Sequence, residues 1–417
     1  MYRRGLLVRT GLTFAAAALA TLPSAENVPA RQVDDWEAVR GLFSVNPAFL
    51  HFGGLYLASH PLPVQQAIDA HRRGLDDNPV DYMHQSATFE AAVLSAAAAY
   101  VGGSAADIAL TDSTTMGLGL LYTGLRLRPD QEILTTRHDF YATTESLRLA
   151  ADRTGASMRQ ISLYSNIGSV SEDEIVQSIA QALTDRTRVL AVTWVHSSTG
   201  LKLPIRRIAD VVDQTNAQRA DSERVLLCVD GVHGFGAEDV AVADLGCDFF
   251  VSGTHKWIFG PRGTGLVWGR GERAWSAVRE TIPTFGDGRT EGSLHTPGGF
   301  HSFEHRWALR DAFTLHQQLG RSNITGRIHA LNTRLKQGLA TTPNLRLYTP
   351  MAEELSAGLV VFAVGTLPPQ AVVERLHARG VIATTTPYTP SYARLAAGLL
   401  TNEDQVDRVV DEVRALA

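Results

Sequence analysis

The stretch VSGTHKWIFGPRGTG, residues 251–265, places Lys256 directly behind His255, at the end of an apolar run and in front of a turn rich in glycine. Lysine is rarely buried without a reason. An ammonium partly stripped of water gives up its proton more easily, and the neutral amine forms imines with aldehydes. Lys256 is therefore a candidate nucleophile. If its electrophile is an aldehyde cofactor carrying a phosphate, three further parts are required. The chain must cradle the phosphate, hold a ring nitrogen protonated with a carboxylate, and stack a flat side chain on the ring.

Each part has a candidate. In DSTTMGLGLLYTGL, Ser113, Thr114 and Thr115 stand where a helix begins, so backbone N–H groups and hydroxyls converge with the helix dipole behind them. Plain N-capping accounts for one such hydroxyl but not for three. Asp230 ends the apolar run RVLLCVD, where a carboxylate is costly unless paired. Against a pyridine nitrogen it would keep that nitrogen cationic and let the ring accept electrons; the bland alternative is a cap of the DGVHG turn. His138 and Tyr141, in RHDFYAT, each offer a ring that can stack on a flat cofactor.

The elements that must position these residues are legible as alternating patterns. Seven short apolar runs (DIALT, EILTT, MRQISLY, RVLAVTW, RVLLCVD, CDFFVSG and TGLVWG) are separated mostly by segments of helical period such as 142–153 and 172–183. This is the βαβ pattern of a mostly parallel seven-stranded sheet with helices on both faces. TGLVWG follows CDFFVSG too closely for a helical crossover, which predicts one antiparallel strand. Beyond residue 299 come amphipathic helices near Phe303–Leu319 and 324–340, a strand in AGLVVFAVG, a helix in PQAVVERLHARG, two short strands and a last helix after Asn402, together a smaller C-terminal α+β domain. The expected division is a leader at 1–25, an N-terminal arm at 26–60, a large domain at 61–299 and a small domain at 300–417. Ligands of parallel sheets sit at the carboxyl ends of the strands. Five such ends carry TDSTTMG, TTRHDFYATTES, HSSTG, DGVHGFG and SGTHKW.

These residues carry a resemblance. CVDGVHGFG, VSGTHKWIFGPRGTG and TPGGFHSFEHRWAL resemble the class V aminotransferase family of pyridoxal-phosphate enzymes, and within it the isopenicillin N epimerase-like branch, from about residue 49 to the C-terminus. The resemblance implies a fold-type I enzyme, pyridoxal 5'-phosphate as cofactor, an amino-acid substrate and a homodimer. It also implies roles. Lys256 would hold the cofactor aldehyde as an imine with His255 beside it, Asp230 the pyridine nitrogen, and His233 would approach the ring hydroxyl. Thr114 and Thr115 would bind the phosphate, with Ser252 or Thr254 nearby and Thr296 reaching it from the neighbouring subunit. His138 matches the stacking ring, with Tyr141 its rival. Ser197 stands where many relatives have asparagine, and Arg394, in YARLAAGLL, would clamp the substrate α-carboxylate. Relatives that remove sulfur from cysteine use a cysteine on the loop before that arginine; GVIATTTPYTPSYAR has none, which argues against a cysteine desulfurase. Epimerisation is the first expected reaction, with Tyr141 as candidate donor opposite Lys256. Carbon–sulfur cleavage is the second and transamination the third.

A competing chemistry is a zinc peptidase. HSFEH (His301, Glu304, His305) has the H-x-x-E-H form, which on a helix puts both histidines on one face, with Glu374 as a third ligand. The glycines of the preceding TPGGF have no role in such a site. Bulk properties exclude other classes. A net charge of −5 over 417 residues gives no basis for nucleic-acid or anionic-membrane binding. MYRRGLLVRTGLTFAAAALATLPSAENVPA reads as an export signal, RRGLL resembling the twin-arginine type, and is too short in its apolar part to span a membrane; the alternative is a basic leader on a cytoplasmic protein. Cys228 and Cys247 lie in apolar runs without metal-ligand spacing and are expected as buried thiols, able to pair only if the sheet makes them neighbours.

Overall fold

The computed structural model describes residues 35–286 and 289–417; the expected leader, and the part of the expected arm before residue 35, lie outside them. All seven apolar runs form one sheet: β1 Ile108–Thr111, β2 Glu132–Thr136, β3 Ser157–Ile161, β4 Thr187–Thr193, β5 Leu226–Asp230, β6 Phe249–Gly253 and β7 Gly265–Gly269. Their spatial order is β1-β7-β6-β5-β4-β2-β3. β7 runs antiparallel to both neighbours and the other pairs are parallel. β1 thus points the same way as β6. The carboxyl ends of β1, β2, β4, β5 and β6 fall on one edge of the sheet.

Period-two alternation gives each face of the sheet its own core. Leu226, Cys228, Phe249 and Val251 pack with Leu118 and Leu121 of α3 (Thr114–Gly124) and Leu147 of α4 (Tyr141–Thr154). Leu227, Val229 and Phe250 face the other way, onto Ile175 and Ile179 of α5 (Glu172–Ala182) and Ile208 and Val212 of α6 (Ile205–Asn216). Cys228 and Cys247 belong to these opposite faces and are both free, so they do not pair.

α1 (Leu62–Asp77), α2 (Ser86–Val101) and α7 (Phe303–Leu319) pack together, and Val64, Val93, Leu309 and Phe313 join the second of those cores. The helix at Phe303–Leu319, expected with the smaller domain, therefore shares the core of the large sheet. The smaller C-terminal sheet has the order β10 (Thr384–Thr385), β11 (Ala393–Leu395), β9 (Val360–Val364), β8 (Leu345–Leu347), all antiparallel. α8 (Arg321–Ala340), α9 (Pro369–Ala378) and α10 (Glu403–Arg414) cover it through Leu331, Leu335, Val372, Leu376, Val406 and Val409. Asn402 caps α10 in a capping box with Gln405. Leu50 and Phe52 enter this small core, whereas Phe43 and Leu55 enter the large one, so the N-terminal segment ties the two together. No helix among the described residues is long and apolar enough to cross a membrane.

Candidate active site

The carboxyl edge of the large sheet and the small sheet enclose a cavity of about 590 Å³. Lys256 reaches it from the turn after β6. That turn is pinned: Gly260 N–H donates to the Thr254 carbonyl at 2.8 Å, and the Thr254 and Thr264 hydroxyls meet at 2.5 Å. A Cβ on Gly260 would lie 2.6 Å from Thr254 Oγ1, so only glycine fits. Lys256 Nζ lies 3.0 Å from His233 Nε2. Burial pushes the amine down to about 8, against the pull of the Asp230 carboxylate. The neighbouring His233 is driven well below the usual imidazole range by burial and by the Lys256 charge, so it is neutral and its Nε2 accepts from the ammonium.

Of the three lysines in the sequence, Lys256 alone lines this cavity. Lys202 is paired with Glu238 at 2.7 Å, and Lys336 is buried against the carbonyls of Pro350 and Met351 and the Ser356 hydroxyl. Capture of an aldehyde needs the unprotonated amine. The rate at which apoenzyme acquires covalent cofactor should therefore rise with pH and be half-maximal near 8, where an ordinary lysine would give 10.5. Stopped-flow absorbance across the pH range reads this, and a midpoint near the ordinary lysine value would contradict it.

Asp230 ends β5 with 1% of its surface exposed. Parity puts its carboxylate on the α4 side, where it accepts from Val232 N–H at 3.1 Å and, weakly, from the Thr143 hydroxyl at 3.4 Å. Burial raises it to about 6, an effect the Val232 bond and the Lys256 charge reduce. The next residue must be glycine, since a Cβ on Gly231 would stand 1.9 Å from the Phe250 ring. Ser113 caps α3 by accepting from Met116 N–H at 3.1 Å, and Thr114 Oγ1 accepts from Gly253 N–H at 2.7 Å, tying the helix start to β6. Ser113, Thr114 and Thr115 all line the cavity, and the first N–H groups of the helix have no helical acceptor.

Arg394, on β11, is 5% exposed and enters from the small sheet. It donates to Thr384 Oγ1 at 2.9 Å and to the Ser197 carbonyl at 3.3 Å. No carboxylate among the described residues pairs with it, and burial lowers it to about 10. A buried guanidinium held by neutral acceptors is arranged to receive an anion. Arg394→Gln should weaken binding of α-carboxylate substrates by roughly 2–3 kcal/mol, seen as a raised KM; unchanged KM and kcat would place the carboxylate elsewhere.

The structure brings Ser113, Thr114, Thr115, Tyr141, Ser197, Asp230, His233, His255, Lys256 and Arg394 onto one cavity. It sets four other candidates apart from that lining. His138 stacks on Tyr164 at 4.4 Å and accepts from Leu163 N–H, so Phe140 and Tyr141 supply the rings on the cavity wall instead. The Ser252 hydroxyl donates to the Gly253 carbonyl, and that of Thr254 is held by Thr264. Thr296, expected at the cofactor of a neighbouring subunit and not at this cavity, has its Oγ1 bridging Leu110 N–H and the Gly292 carbonyl. Sequence reasoning missed Tyr56, Thr193, Thr384 and Thr385 in the lining, and Tyr388, whose hydroxyl meets Ser197 Oγ at 2.9 Å. Thr193 had a signal: it ends a strand beside Asp230, its register partner.

The zinc reading fails on geometry. α7 begins at Phe303, so His301 precedes the helix and does not share a face with His305, which is bonded to the Arg262 carbonyl. No group of three potential ligands stands together among the described residues.

The residues do fit pyridoxal phosphate. His233 Nδ1 and Thr193 Oγ1 are buried without partners at this cavity, and the Asp230 carboxylate has only two neutral donors. A polar ring with a protonatable nitrogen and an anionic tail complements that set. Asp230 would hold the ring nitrogen, the α3 start the phosphate, and Lys256 the aldehyde carbon. Fold and site together define a fold-type I, pyridoxal-phosphate-dependent enzyme acting on amino acids. The chain belongs to the aminotransferase class-V family, whose pattern it matches over residues 65–392. It is 26% identical over 415 residues to isopenicillin N epimerase from Streptomyces clavuligerus, covering 92% of this chain and 99% of that one. It is 25% identical over 335 residues to cysteine desulfurase from Pectobacterium atrosepticum, covering 74% and 77%. Its fold resembles that of the cystine C–S lyase C-DES in complex with its product cysteine persulfide, with a TM-score of 0.79 at 21% identity over 88% of this chain and 98% of that one. The epimerase branch is thus not singled out over the desulfurase branch.

Proposed function

We propose that the enzyme breaks the Cβ–S bond of an α-amino acid, releasing a keto acid, ammonia and the sulfur-bearing fragment. The observation that carries this reading is the state of the two groups expected to move protons, Lys256 and Tyr141. Lys256 is one well-placed base, hydrogen-bonded to a neutral His233. Tyr141, the candidate donor for the opposite face, is 62% exposed and its hydroxyl has no partner among the described residues. Elimination needs one base, whereas epimerisation needs a second acid fixed across from it. Both thiols of the chain are buried in the sheet core, so sulfur leaves on a small molecule and not on an enzyme cysteine.

When bound, pyridoxal phosphate supplies an electron sink conjugated to Cα. The chain's own residues do the rest. Arg394, held by Thr384 and the Ser197 carbonyl, orients the α-carboxylate. Lys256 takes the Cα proton, and His233 accepts a hydrogen bond from the resulting ammonium. The Cβ–S electron pair departs with sulfur, which takes up that proton. Water then replaces nitrogen in the three-carbon fragment, so thioether plus water gives thiol, keto acid and ammonia.

Epimerisation is the second reading, supported by the match along almost the whole length of the Streptomyces clavuligerus enzyme. Incubating holoenzyme with L-cystine, S-alkylcysteines and sulfur-free amino acids in heavy water separates the two. Keto acid and thiol in equal amounts, from sulfur compounds only, is the expected result. Deuterated, racemised amino acid without keto acid would replace it with epimerisation, and exchange with retained configuration with an aminotransferase half-reaction.

A homodimer belongs to the same proposal. Phe285 and Phe300, on either side of Thr296 in sequence, are 74% and 89% exposed, an apolar surface a second copy would cover. Light scattering should return twice the 45.2 kDa of the chain.

A further inference from the structure

A second cavity of about 370 Å³ adjoins the first and shares Leu55, Tyr56, Lys256 and Thr384 with it. We propose that this chamber holds the sulfur substituent of the substrate, and that it selects a bulky, largely apolar group ending in an anion. The proposal rests on the lyase reading for the name of the substituent, but not for its place.

The first cavity is lined by the α3 start, Asp230, Lys256 and Arg394. A cofactor and the α-carbon portion of an amino acid account for those contacts. A substrate whose Cα lies at Lys256 can direct its side chain across the shared wall. Beyond that wall the lining is apolar, from Val45, Trp257, Phe259, Ile382 and Leu399. Its charged or titratable groups, besides the shared Lys256 and Tyr56, are His51 and Arg262; no aspartate or glutamate lines it. Arg262 is an exposed residue with no ion pair among the described residues, and its carbonyl is held by His305. An apolar chamber with an unpaired cation and no acid complements an apolar body with an anionic tip. Methionine- or alanine-sized side chains would leave most of this volume to water.

The probes are S-methyl-L-cysteine, S-benzyl-L-cysteine and S-(4-carboxybenzyl)-L-cysteine. Affinity is read from the visible spectrum of the holoenzyme and from tryptophan fluorescence, which responds whichever bond later breaks; keto acid is assayed in parallel. The carboxybenzyl compound is expected to bind about tenfold more tightly than the benzyl one, a preference that Arg262→Gln removes. Gly54→Leu gives a second test. Gly54 lines the chamber, and an added Cβ there meets nothing within 4 Å, so the position has room for a side chain to begin; a thermal melt of the variant checks that the fold is kept. It should lower affinity for both benzyl compounds far more than for the methyl one. Equal affinities for all three probes, or a carboxylate preference that survives Arg262→Gln, would overturn the proposal. Selective binding without keto acid would leave the chamber standing and remove the lyase reading.

Discussion

Lys256→Ala should lose covalent cofactor and turnover together, while the protein folds as well as before or better. The side chain is partly buried and that burial lowers its pKa, so its charged form is costly to the native state. Replacing it leaves Asp230 with its Val232 and Thr143 donors intact. Removing a positioned base alone costs roughly 10²–10⁴-fold in rate, and loss of the covalent link adds to that. The checks are the visible absorbance of the purified variant, steady-state turnover and a thermal melt of the apoprotein. Turnover within tenfold of the unmutated enzyme would mean that another group does the chemistry.

The second large effect belongs to Asp230. Asp230→Asn keeps an oxygen that can accept from Val232 N–H but removes the charge. If the carboxylate serves only to cap the turn before Gly231, asparagine serves nearly as well. If it holds a ring nitrogen protonated, each pK unit of lost stabilisation is about 1.4 kcal/mol, and a few units amount to about a thousandfold in rate. Turnover should fall by that order with cofactor content and melting temperature close to normal. An unchanged rate at normal cofactor content would reduce Asp230 to a cap.

The sheet was legible because its signals are local. Each of its strands is a short apolar run, and the link between Gly253 and Gly265 is too short for any crossover but an antiparallel return. The same logic located the site. Residues following parallel strands reach one edge whatever their side chains do, so Ser113, Ser197, Asp230 and Lys256 could be grouped before any contact was known. What sequence could not supply was direction within a turn. RHDFYAT offers three rings, and only the path from β2 into α4 decides that Phe140 and Tyr141 face the cavity while His138 turns to Tyr164. In SGTHK the hydroxyls of Ser252 and Thr254 look like phosphate ligands but close the turn that presents Lys256. HSFEH resembles a metal motif until the helix starts two residues beyond its first histidine. Tyr56, Thr384 and Tyr388 come from the N-terminal segment and the small domain, and no local pattern connects them to β5 or β6. The wall of the site built by long-range packing was the part hidden from sequence.

Borohydride reduction of the holoenzyme, followed by proteolysis and mass mapping, tests the assignment of the site most directly. The sequence offers three lysines, at 202, 256 and 336, and they fall in separate peptides. A pyridoxyl group on Lys256, and on neither Lys202 nor Lys336, is the predicted result. Label on either of those two, or no label on a protein that turns over amino acids, would contradict the site as assembled around β5 and β6.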